Sequence, residues 1–415
     1  MMSRRTLLTT AGAAACFPLV TAAAKAAPLS TLQSITGQAK PITALERRDR
    51  VAKAQRLMAE QKIGALLIES GSTLDYFTGI NWWRSERTTV AILPAVGEVI
   101  VVTPAFEEPS VRETLQIGGE VRPWNEHDSP FALIVQALAD RGVTAGRVAA
   151  ESTVRFFIVD GIRQLSNAVD VVSGDGIVRA CRQIKSPAEL ALLQIANDVT
   201  YSAMRFVHGR IRLGMSQAEI LALMNDATHA LGGEGDGGLV LLNEASAYPH
   251  GSHSPQRVQE GGIILMDCGC TVQGYTSDIS RSWVFGKPSP KQRKVWETVK
   301  SGQQLVLARA TLGAPVGAID DAVRRFYESE GWGPGYKLPG LPHRAGHGIG
   351  LDGHESPFLV HGDSTPLEAG MCFSDEPGLY IPGEFGVRLE DCWVMTENGP
   401  KTFTPLAKSI DQPFA

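Results

Sequence analysis

The part of this sequence that decides the fold is residues 265–281, which read LMDCGCTVQGYTSDISR. Each of two aspartates here, Asp267 and Asp278, ends or follows a strand-like run beside a turn, and eleven positions separate them. Two strands of a hairpin would bring both carboxylates to one face, where their oxygens suit hard divalent cations. A lone pair of aspartates at this spacing is more often found in exposed turns, so it indicates a site only with further partners.

Three residues downstream carry side chains that can bind a metal ion. His347 lies in the run GHGIGLD at 346–352, where the glycines leave room for an ion or a substrate. Glu376 and Glu390 each follow an apolar strand, within the motifs DEPG and GVRLED. Burying an unpaired carboxylate is costly, and either a bound metal or exposure in a turn would avoid that cost. An ordinary histidine in a glycine-rich turn is the corresponding alternative for His347.

Together these five residues resemble the two-metal site of the pita-bread metallopeptidases, the family of aminopeptidase P, prolidase, creatinase and methionine aminopeptidase. The motifs D-x-G, G-Y-x-S-D-I-x-R, G-H-G-I-G-L, E-P-G and V-R-L-E-D occur in the family's order, with fourteen positions between the two glutamates. The resemblance implies an α/β creatinase-like N-terminal domain over residues 43–178 and an α+β pita-bread catalytic domain over residues 179–415.

The resemblance also implies a role for each ligand. Asp267 would bind one metal ion, and His347 with Glu376 would bind the other. Asp278 and Glu390 would bridge both ions, and a hydroxide between the ions would be the nucleophile. Four carboxylates among five ligands favour a hard cation, so we expect two Mn²⁺ ions, with Zn²⁺, Co²⁺ and Fe²⁺ as the alternatives.

A second set of residues would surround the metal ions. By the same resemblance, His250, His343 and His354 would line the substrate pocket and transfer protons to the leaving nitrogen, a task suited to groups that titrate near neutral pH. Arg388 would assist catalysis from behind the ligands, and Tyr380 would contact the substrate. A packing role is the alternative for His343.

The elements outside these motifs alternate between helix and strand. A capping-box pattern predicts a helix from 44 to about 61, and a second one at Ser186–Glu189 predicts a helix to about 209. Further helices are expected at 130–141, from 216, at 291–310 and at 318–330. Strands are expected at 65–68, 89–93, 99–103, 147–150, 239–242, 263–268, 372–375 and 387–394.

The N-terminal domain bears on both family and assembly. Methionine aminopeptidases lack such a domain, so they are disfavoured. In relatives, this domain can lend a residue to the active site of a partner subunit, so Trp82 and Trp83 are expected to contact substrate, with Arg84 and Arg87 as further candidates. An ordinary loop with half-buried aromatic residues is the alternative. We therefore expect a homodimer or a higher homo-oligomer.

The N-terminus predicts export. Residues 1–26 hold Arg4-Arg5, an apolar run and small residues at 24 and 26, which resembles a twin-arginine signal; a plain secretory signal or an uncleaved anchor is the alternative. Residues 27–42 are expected to be a flexible leader. Cleavage after residue 26 removes three cations, so the formal charge changes from −5 to −8. We expect a periplasmic or secreted protein.

Composition excludes two classes of partner. The chain has no basic stripe, which argues against nucleic-acid binding. Beyond the signal, no apolar run reaches the ~20 residues that cross a bilayer, so no membrane association is expected after signal removal.

The expected substrate is a peptide with proline at its second position. Many prolidases carry an arginine four residues after the second pocket histidine, where it can hold the carboxylate of a dipeptide; this chain has Phe358 there. The sequence therefore favours an Xaa-Pro aminopeptidase over an Xaa-Pro dipeptidase. A non-peptide hydrolase or lyase on the same scaffold stays open, whereas a peptide-binding pseudo-enzyme is disfavoured because the ligand set is intact.

Overall fold

The computed structural model describes residues 28–235 and 237–414, which form two domains in succession. The expected signal segment, residues 1–26, lies outside the described residues. Within the described ranges, no helix combines the length and the apolar character that a membrane span requires.

The N-terminal domain is a six-stranded mixed sheet with helices on both faces. The strand order is β4-β3-β2-β1-β5-β6, with β2 antiparallel to both of its neighbours and the other pairs parallel. One face packs against α1, α2 and α6, and the other against α4 and α5. Its elements are α1 Ala44–Glu60, β1 Ile63–Glu69, α2 Ser72–Thr78, β2 Val90–Pro94, β3 Ile100–Pro104, α3 Glu108–Thr114, β4 Glu120–Trp124, α4 Pro130–Asp140, β5 Gly146–Ala150, α5 Phe156–Leu165, β6 Val169–Ser173 and α6 Asp175–Arg182.

The catalytic domain interleaves two sheets with two helix layers. The strand orders are β11-β8-β7 and β13-β12-β14-β17-β18, beside the short hairpins β9–β10 and β15–β16. Its elements are α7 Pro187–His208, α8 Gln217–Ala230, β7 Leu239–Leu242, β8 Ile263–Cys268, β9 Thr271–Val272, β10 Tyr275–Thr276, β11 Ile279–Val284, α9 Pro290–Arg309, α10 Gly317–Ser329, β12 Gly346–Gly348, β13 Glu355–Leu359, β14 Cys372–Asp375, β15 Gly378–Ile381, β16 Phe385–Arg388, β17 Asp391–Thr396 and β18 Gly399–Thr402; short 3-10 turns form at Leu29–Thr31 and Asn243–Ala247.

Strand β17 shows how this domain is layered. Cys392 and Val394 pack with α7 and α8, whereas Trp393 and Met395 pack with α9 and α10. Successive side chains of a strand point to opposite faces, so the sheet is buried between the two helix pairs. This architecture confirms the expected pairing of an α/β domain with an α+β pita-bread domain.

The expected boundary at 178/179 falls inside helix α6. Ile177 and Cys181 of this helix pack in the same core as α1, because its apolar face covers the sheet of the N-terminal domain. The capping box of Ser186 and Glu189 then starts α7, the first helix of the catalytic domain. The N-terminal domain therefore continues through Arg182.

Residues 28–42 are ordered against the catalytic domain, in contrast to the flexible leader expected there. The Ile35 N–H donates to the Leu231 carbonyl at 2.9 Å. Ile42 is 5% exposed and belongs to the core formed by α7 and α8. Leu32 and Ala39 of this segment pack against the same core.

The strand expected over residues 387–394 is divided in two. Strand β16 pairs with β15 and ends at Arg388, whereas β17 pairs with β14 and begins at Asp391. Between them the Glu390 N–H donates to the Ser280 carbonyl at 3.0 Å, and the Glu390 carbonyl accepts from the Ser280 N–H at 3.2 Å. The chain changes partner strands here, and the change turns the Glu390 side chain toward the space between the sheets.

Ion pairs join the two domains beside the cavity described below. Arg182, at the end of α6, donates to Asp352 at 2.8 Å and to Glu355 at 2.5 Å. Lys185 reaches the second oxygen of Glu355 at 2.5 Å. These contacts hold the loop 351–355, which carries His354, against the N-terminal domain.

Candidate metal centre

The strands of both sheets bring the five expected ligands to one place. Asp267 lies near the end of β8 and Asp278 directly before β11, and β8 and β11 are antiparallel neighbours with Ser280 opposite Asp267. His347 is the middle residue of β12, and Glu376 directly follows β14, its neighbour. Glu390 occupies the change of strand between β16 and β17, so its position depends on both sheets.

The five expected ligands form two overlapping groups, and a further group joins Asp278 and His347 to His354. Oxygens of Asp267, Asp278 and Glu390 lie within 4.8 Å of one another, as do ligand atoms of His347, Glu376 and Glu390. The His347 Nε2 atom is 3.6 Å from Glu376 Oε1 and 3.8 Å from both Asp278 Oδ2 and Glu390 Oε1. Glu390 belongs to both groups and Asp278 adjoins both, which suits two neighbouring cations that share these carboxylates.

Two unsatisfied atoms show that the cluster fits a cation. The His347 Nδ1–H donates to the Gly348 carbonyl at 3.1 Å, which directs the lone pair of Nε2 toward the carboxylates. His347 Nε2 and Glu390 Oε1 are buried and have no hydrogen-bond partner in the described part of the chain. Leaving such atoms unpaired costs about 1–3 kcal/mol each, and a bound cation would satisfy both.

The electrostatics of the cluster lead to the same conclusion. Burial raises the pKa values of Asp278 and Glu390 well above their usual range, and neighbouring carboxylates raise them further. Burial also raises the pKa of Glu376 to about 7, against the lowering effect of Arg388. The pKa of His347 falls to about 3, because of burial and then because of His354. The carboxylates cannot all ionise unless cations compensate them.

The raised pKa of Glu376 predicts that metal binding strengthens as the pH rises. In the metal-free folded protein this pKa is about 7, above the ~4.3 of an unfolded chain. The folded state therefore binds the extra proton, so the contribution of Glu376 to stability is present at low pH and is lost as pH rises between about 4 and 7. Metal ions displace that proton. We expect the increase in Tm caused by Mn²⁺ to grow from pH 5.5 to pH 7.5 in thermal unfolding; an increase independent of pH would contradict this assignment.

Arg388 holds the ligands in place. Its guanidinium pairs with Asp267 Oδ2 and donates to the Tyr380 hydroxyl at 2.8 Å and to Ser280 Oγ at 3.0 Å. Ser280 Oγ in turn donates to Glu390 Oε2 at 2.8 Å. Arg388 was expected to assist catalysis, and its buried contacts give it the task of positioning two carboxylates.

His343 has both ring nitrogens engaged, which differs from the expected role in proton transfer. Its Nδ1–H donates to the Arg344 carbonyl at 2.8 Å, and its Nε2 accepts the Tyr380 hydroxyl proton at 2.9 Å. Burial and the nearby charge of Arg388 lower the pKa of His343 to about 3. His343 is thus a neutral support for Tyr380, and Tyr380 serves Arg388 and His343 rather than reaching into the cavity.

The other two histidines face open space. A cavity of about 580 Å³ adjoins the ligands; His343 is part of its lining, and so are His250 and His354. Both side chains are exposed, and the His354 ring centroid lies 4.0 Å from that of His347. Burial lowers the pKa of His354, and the Arg344 charge lowers it further. These two histidines line the same cavity as four of the expected metal ligands.

Trp82 and Trp83 do not line the cavity of their own chain. Their rings stack with centroids 4.7 Å apart, and Trp83 is 67% exposed. Arg84 donates to the Ser70 carbonyl at 2.9 Å, within the same domain. Over the described residues, the expected substrate contacts of these two tryptophans are therefore absent within a single chain.

Sequence analysis missed a buried network behind the ligands. Gln303 donates to Asp375 at 2.8 Å and to Asp391 at 3.0 Å, and these two acids directly precede Glu376 and follow Glu390. Arg281, which is fully buried, forms an ion pair with Asp391 at 2.7 Å. Arg281, Asp375 and Asp391 all lie inside the motifs that identify the ligands. A charged residue within the same motif as a ligand was the sequence signal that could have pointed to this network.

The fold and the site define a class of protein: a two-domain chain with a pair of cation sites at an open cavity. Residues 191–397 match the model of metallopeptidase family M24, and residues 50–184 match the creatinase/prolidase N-terminal domain. The chain is 30% identical to the Xaa-Pro dipeptidase of Lactobacillus helveticus, over 86% of this chain and 97% of that protein.

Solved structures agree with the family models. Dipeptidase PepE from Mycobacterium ulcerans matches with a TM-score of 0.82 and 30% identity, over 88% of this chain and 97% of that one. An X-Pro aminopeptidase from Thermotoga maritima matches with a TM-score of 0.76 and 26% identity, over 86% and 98%. The chain therefore belongs to metallopeptidase family M24, whose members use divalent metal ions.

Proposed function

We propose that this protein hydrolyses the bond between an N-terminal residue and a following proline, with two divalent cations at Asp267, Asp278, His347, Glu376 and Glu390. The observation that carries the proposal is the convergence of these five side chains beside an open cavity. When bound, the cations supply an activated water and polarise the scissile carbonyl. Support for proline comes from relatives that are named for Xaa-Pro bonds.

The residues of the chain divide the remaining work. His354 and His250 line the cavity from two separate loops of the catalytic domain. From there they can hydrogen-bond the reacting amide and pass a proton to the leaving nitrogen. Proline nitrogen leaves as a secondary amine, which needs that proton. Arg388 lines the cavity as well, but its guanidinium is already engaged by Asp267, Ser280 and Tyr380, so it keeps Asp267 oriented.

The length of the substrate is a separate question. Sequence analysis favoured aminopeptidase action on longer peptides, because Phe358 replaces the arginine that would bind a dipeptide carboxylate. Relatives of this chain are named both dipeptidase and aminopeptidase. A cavity of about 580 Å³ is within the range of small-ligand sites, roughly 300–1,000 Å³, and it accommodates a dipeptide.

A panel of substrates tests the proposal. Purified mature protein with Mn²⁺ would be assayed against Ala-Pro, Ala-Pro-Ala and the matched peptides Ala-Ala and Ala-Ala-Ala. We expect cleavage of the proline peptides at a rate at least about tenfold above the alanine controls, the size of preference that pocket contacts with a few additional carbon atoms can give. Equal cleavage of both sets would remove the proline assignment. Cleavage of neither, with two metal ions bound, would favour a non-peptide substrate.

We further propose that Mn²⁺ is the physiological metal, that the protein is exported by the Arg4-Arg5 signal, and that it forms a homodimer. The carboxylate-rich ligand set supports the first of these, and the exposed Trp83, stacked on the half-buried Trp82, supports the last. Metal analysis of native protein, fractionation of cells, and mass measurement in solution test the three separately. Substituting Arg4 and Arg5 with lysines should leave precursor in the cytoplasm.

A further inference from the structure

Two arginines line the cavity, and only one of them is paired with an acid. Arg388 is bound to Asp267, as described above. Arg344 forms no ion pair with any carboxylate in the part of the chain that the structure describes. Its Nη2 donates to His354 Nδ1 at 3.4 Å, and its guanidinium carbon lies 4.3 Å from the centre of the Phe358 ring. The cavity therefore contains a guanidinium that contacts a histidine and an aromatic ring and forms no ion pair among the described residues, although its charge lowers the pKa of the nearby Glu376.

The position of Arg344 is tied to that of the ligand His347. Strand β12 pairs with β13 so that His347 stands opposite Phe358. Side chains of directly opposed residues lie on the same face of a sheet, about 4.5–5.5 Å apart at Cβ. The Phe358 ring thus flanks the ligand, and the guanidinium stacked on that ring is held beside the metal centre.

From these contacts we infer that Arg344 binds the C-terminal carboxylate of the substrate, so that dipeptides are preferred over longer peptides; this inference rests on the function proposed above. In an Xaa-Pro dipeptide the carboxylate carbon is three bonds from the scissile carbonyl carbon, roughly 3 Å away at the φ of proline. A cation that serves it must stand next to the metal ligands, as Arg344 does. The planar fork of a guanidinium matches a carboxylate with two parallel hydrogen bonds.

Phe358 takes part in this arrangement without carrying a charge. Phe358 occupies the position where many prolidases carry an arginine, and the absence of that arginine favoured longer substrates. The structure shows that a different arginine, fourteen residues earlier, lies over the same phenylalanine. Arg344, in the segment just before β12, thus supplies the positive charge instead of a residue of β13. The absence of an arginine at position 358 therefore no longer favours longer substrates.

A neighbouring cavity disfavours the C-terminus of a longer peptide. This cavity, of about 310 Å³, shares His354 with the cavity at the metal centre, and Phe358 lies on its wall. The two arginines on its wall are Arg179, which is exposed, and Arg182, which is already paired with Asp352 and Glu355. Its wall carries four carboxylates, those of Glu151, Asp175, Asp352 and Glu355. The C-terminal carboxylate of a longer peptide that entered this cavity would therefore meet more acidic than basic side chains.

The contact with His354 gives Arg344 a second effect. Because the guanidinium donates to His354 Nδ1, that nitrogen is an acceptor and the ring carries its proton on Nε2. Binding of a carboxylate to Arg344 therefore takes place next to the ring proposed to serve the leaving nitrogen. Recognition of the substrate and positioning of His354 are linked through one side chain.

Removing the substrate carboxylate while keeping everything else tests the inference. Wild-type protein and the variants Arg344→Met and Arg344→Lys would be assayed with Ala-Pro and with Ala-Pro amide. We expect Arg344→Met to lower kcat/KM for Ala-Pro about 10- to 100-fold, the usual effect of losing a charge-assisted hydrogen bond. Activity on the amide should fall clearly less than activity on Ala-Pro, since that substrate has no charge to lose and is affected only through the contact of Arg344 with His354. Arg344→Lys should retain part of the preference, because it keeps the charge but not the fork.

Arg179→Met is the matched control. Arg179 lines the neighbouring cavity and is exposed, so its loss should alter neither substrate. Equal losses on Ala-Pro and its amide in Arg344→Met would overturn the inference, because they would show a purely structural role. Loss of the preference in Arg179→Met instead would overturn it as well. Activity on the amide itself reports that each variant is folded and loaded with metal.

Calorimetry separates this inference from the proposed function. If wild-type protein cleaves no Xaa-Pro substrate, the proposed function fails, and binding of L-proline and L-prolinamide to the metal-loaded protein then decides the role of Arg344. Tighter binding of L-proline that is lost in Arg344→Met would keep the carboxylate site. Equal binding of the two ligands by wild-type protein would remove it.

Discussion

Replacing Glu390 with glutamine is expected to lower kcat for Ala-Pro by at least about a thousandfold, since each metal ion contributes several kcal/mol of transition-state stabilisation. Glu390 belongs to both groups formed by the five expected ligands, and its side chain is 2% exposed. Glutamine has nearly the same volume but offers no negative charge, so both cation sites lose affinity together. Metal analysis of the purified variant should show fewer than two ions per chain.

The same substitution should have the opposite effect on the stability of the metal-free protein. Burial and the neighbouring carboxylates raise the pKa of Glu390 well above its usual range, so its carboxylate is unfavourable when no cation is present. We expect the metal-free variant to unfold at a Tm equal to or above that of metal-free wild-type protein. With Mn²⁺ the order should reverse, because a ligand in a thousandfold excess over Kd adds about 4 kcal/mol to the stability of a protein that binds it.

Glu384→Gln is the matched control for Glu390. Glu384 lies in the turn of the β15–β16 hairpin, close in sequence, and pairs with Lys291 at the surface. Its replacement should leave kcat, metal content and both Tm values unchanged. A Glu390→Gln variant that retains wild-type activity, or that loses stability with and without metal alike, would show that Glu390 is a structural acid.

Replacing Arg281 with methionine is expected to destabilise the catalytic domain by about 3–5 kcal/mol, the usual cost of breaking a buried ion pair from one side. Arg281 is fully buried and contacts Asp391 at 2.7 Å and 3.1 Å, the Glu390 carbonyl at 2.8 Å and the Pro413 carbonyl at 3.1 Å. Methionine fills part of the volume but supplies no hydrogen bond. Asp391 would then remain buried without its cation.

A second buried acid increases this effect. Burial and the neighbouring Asp391 raise the pKa of Asp375 well above its usual range, and Asp375 Oδ2 has no partner in the described part of the chain. Without Arg281, both acids would share Gln303 as a donor. Because these acids adjoin Glu376 and Glu390, we also expect weaker metal binding in the variant.

Arg293→Met provides the comparison at the surface. Arg293 forms a two-bond ion pair with Asp411 at 2.7 Å and 3.1 Å, so its geometry resembles that of Arg281. Both partners are exposed, and such pairs contribute about 0–1 kcal/mol. The free energy of unfolding would be measured by urea titration of the chelated proteins. Similar losses in the two variants would contradict the role assigned to the buried network.

The ligand set could be predicted from sequence because each ligand stands inside a short local motif. Asp267 and Asp278 lie on either side of a turn, and the pairing of β8 with β11 follows from the hairpin pattern. His347 is set among glycines that its close packing requires: a Cβ at Gly346 would lie 2.3 Å from the Ser374 carbonyl oxygen. Local chemistry and local geometry were sufficient for these residues.

Residues whose role depends on distant partners could not be predicted in this way. The role inferred for Arg344 depends on its contact with Phe358, and the pairing of β12 with β13 brings these two residues together. The break of the strand at Glu390 depends on Ser280, more than a hundred residues earlier. His343 reads as a free imidazole in the sequence, and only the fold reveals that Tyr380 and a carbonyl group occupy both of its nitrogens.

The most direct test of the central claim is a metal titration of protein stripped with chelator, with hydrolysis of Ala-Pro and Ala-Pro-Ala as the readout. The account predicts no hydrolysis without metal, a rise in activity on addition of Mn²⁺, and saturation at two equivalents per chain. Hydrolysis that persists in the stripped protein would contradict a two-metal centre at these five residues. Metal-dependent activity that is unchanged when Asp267 or Glu390 is substituted would contradict it as well.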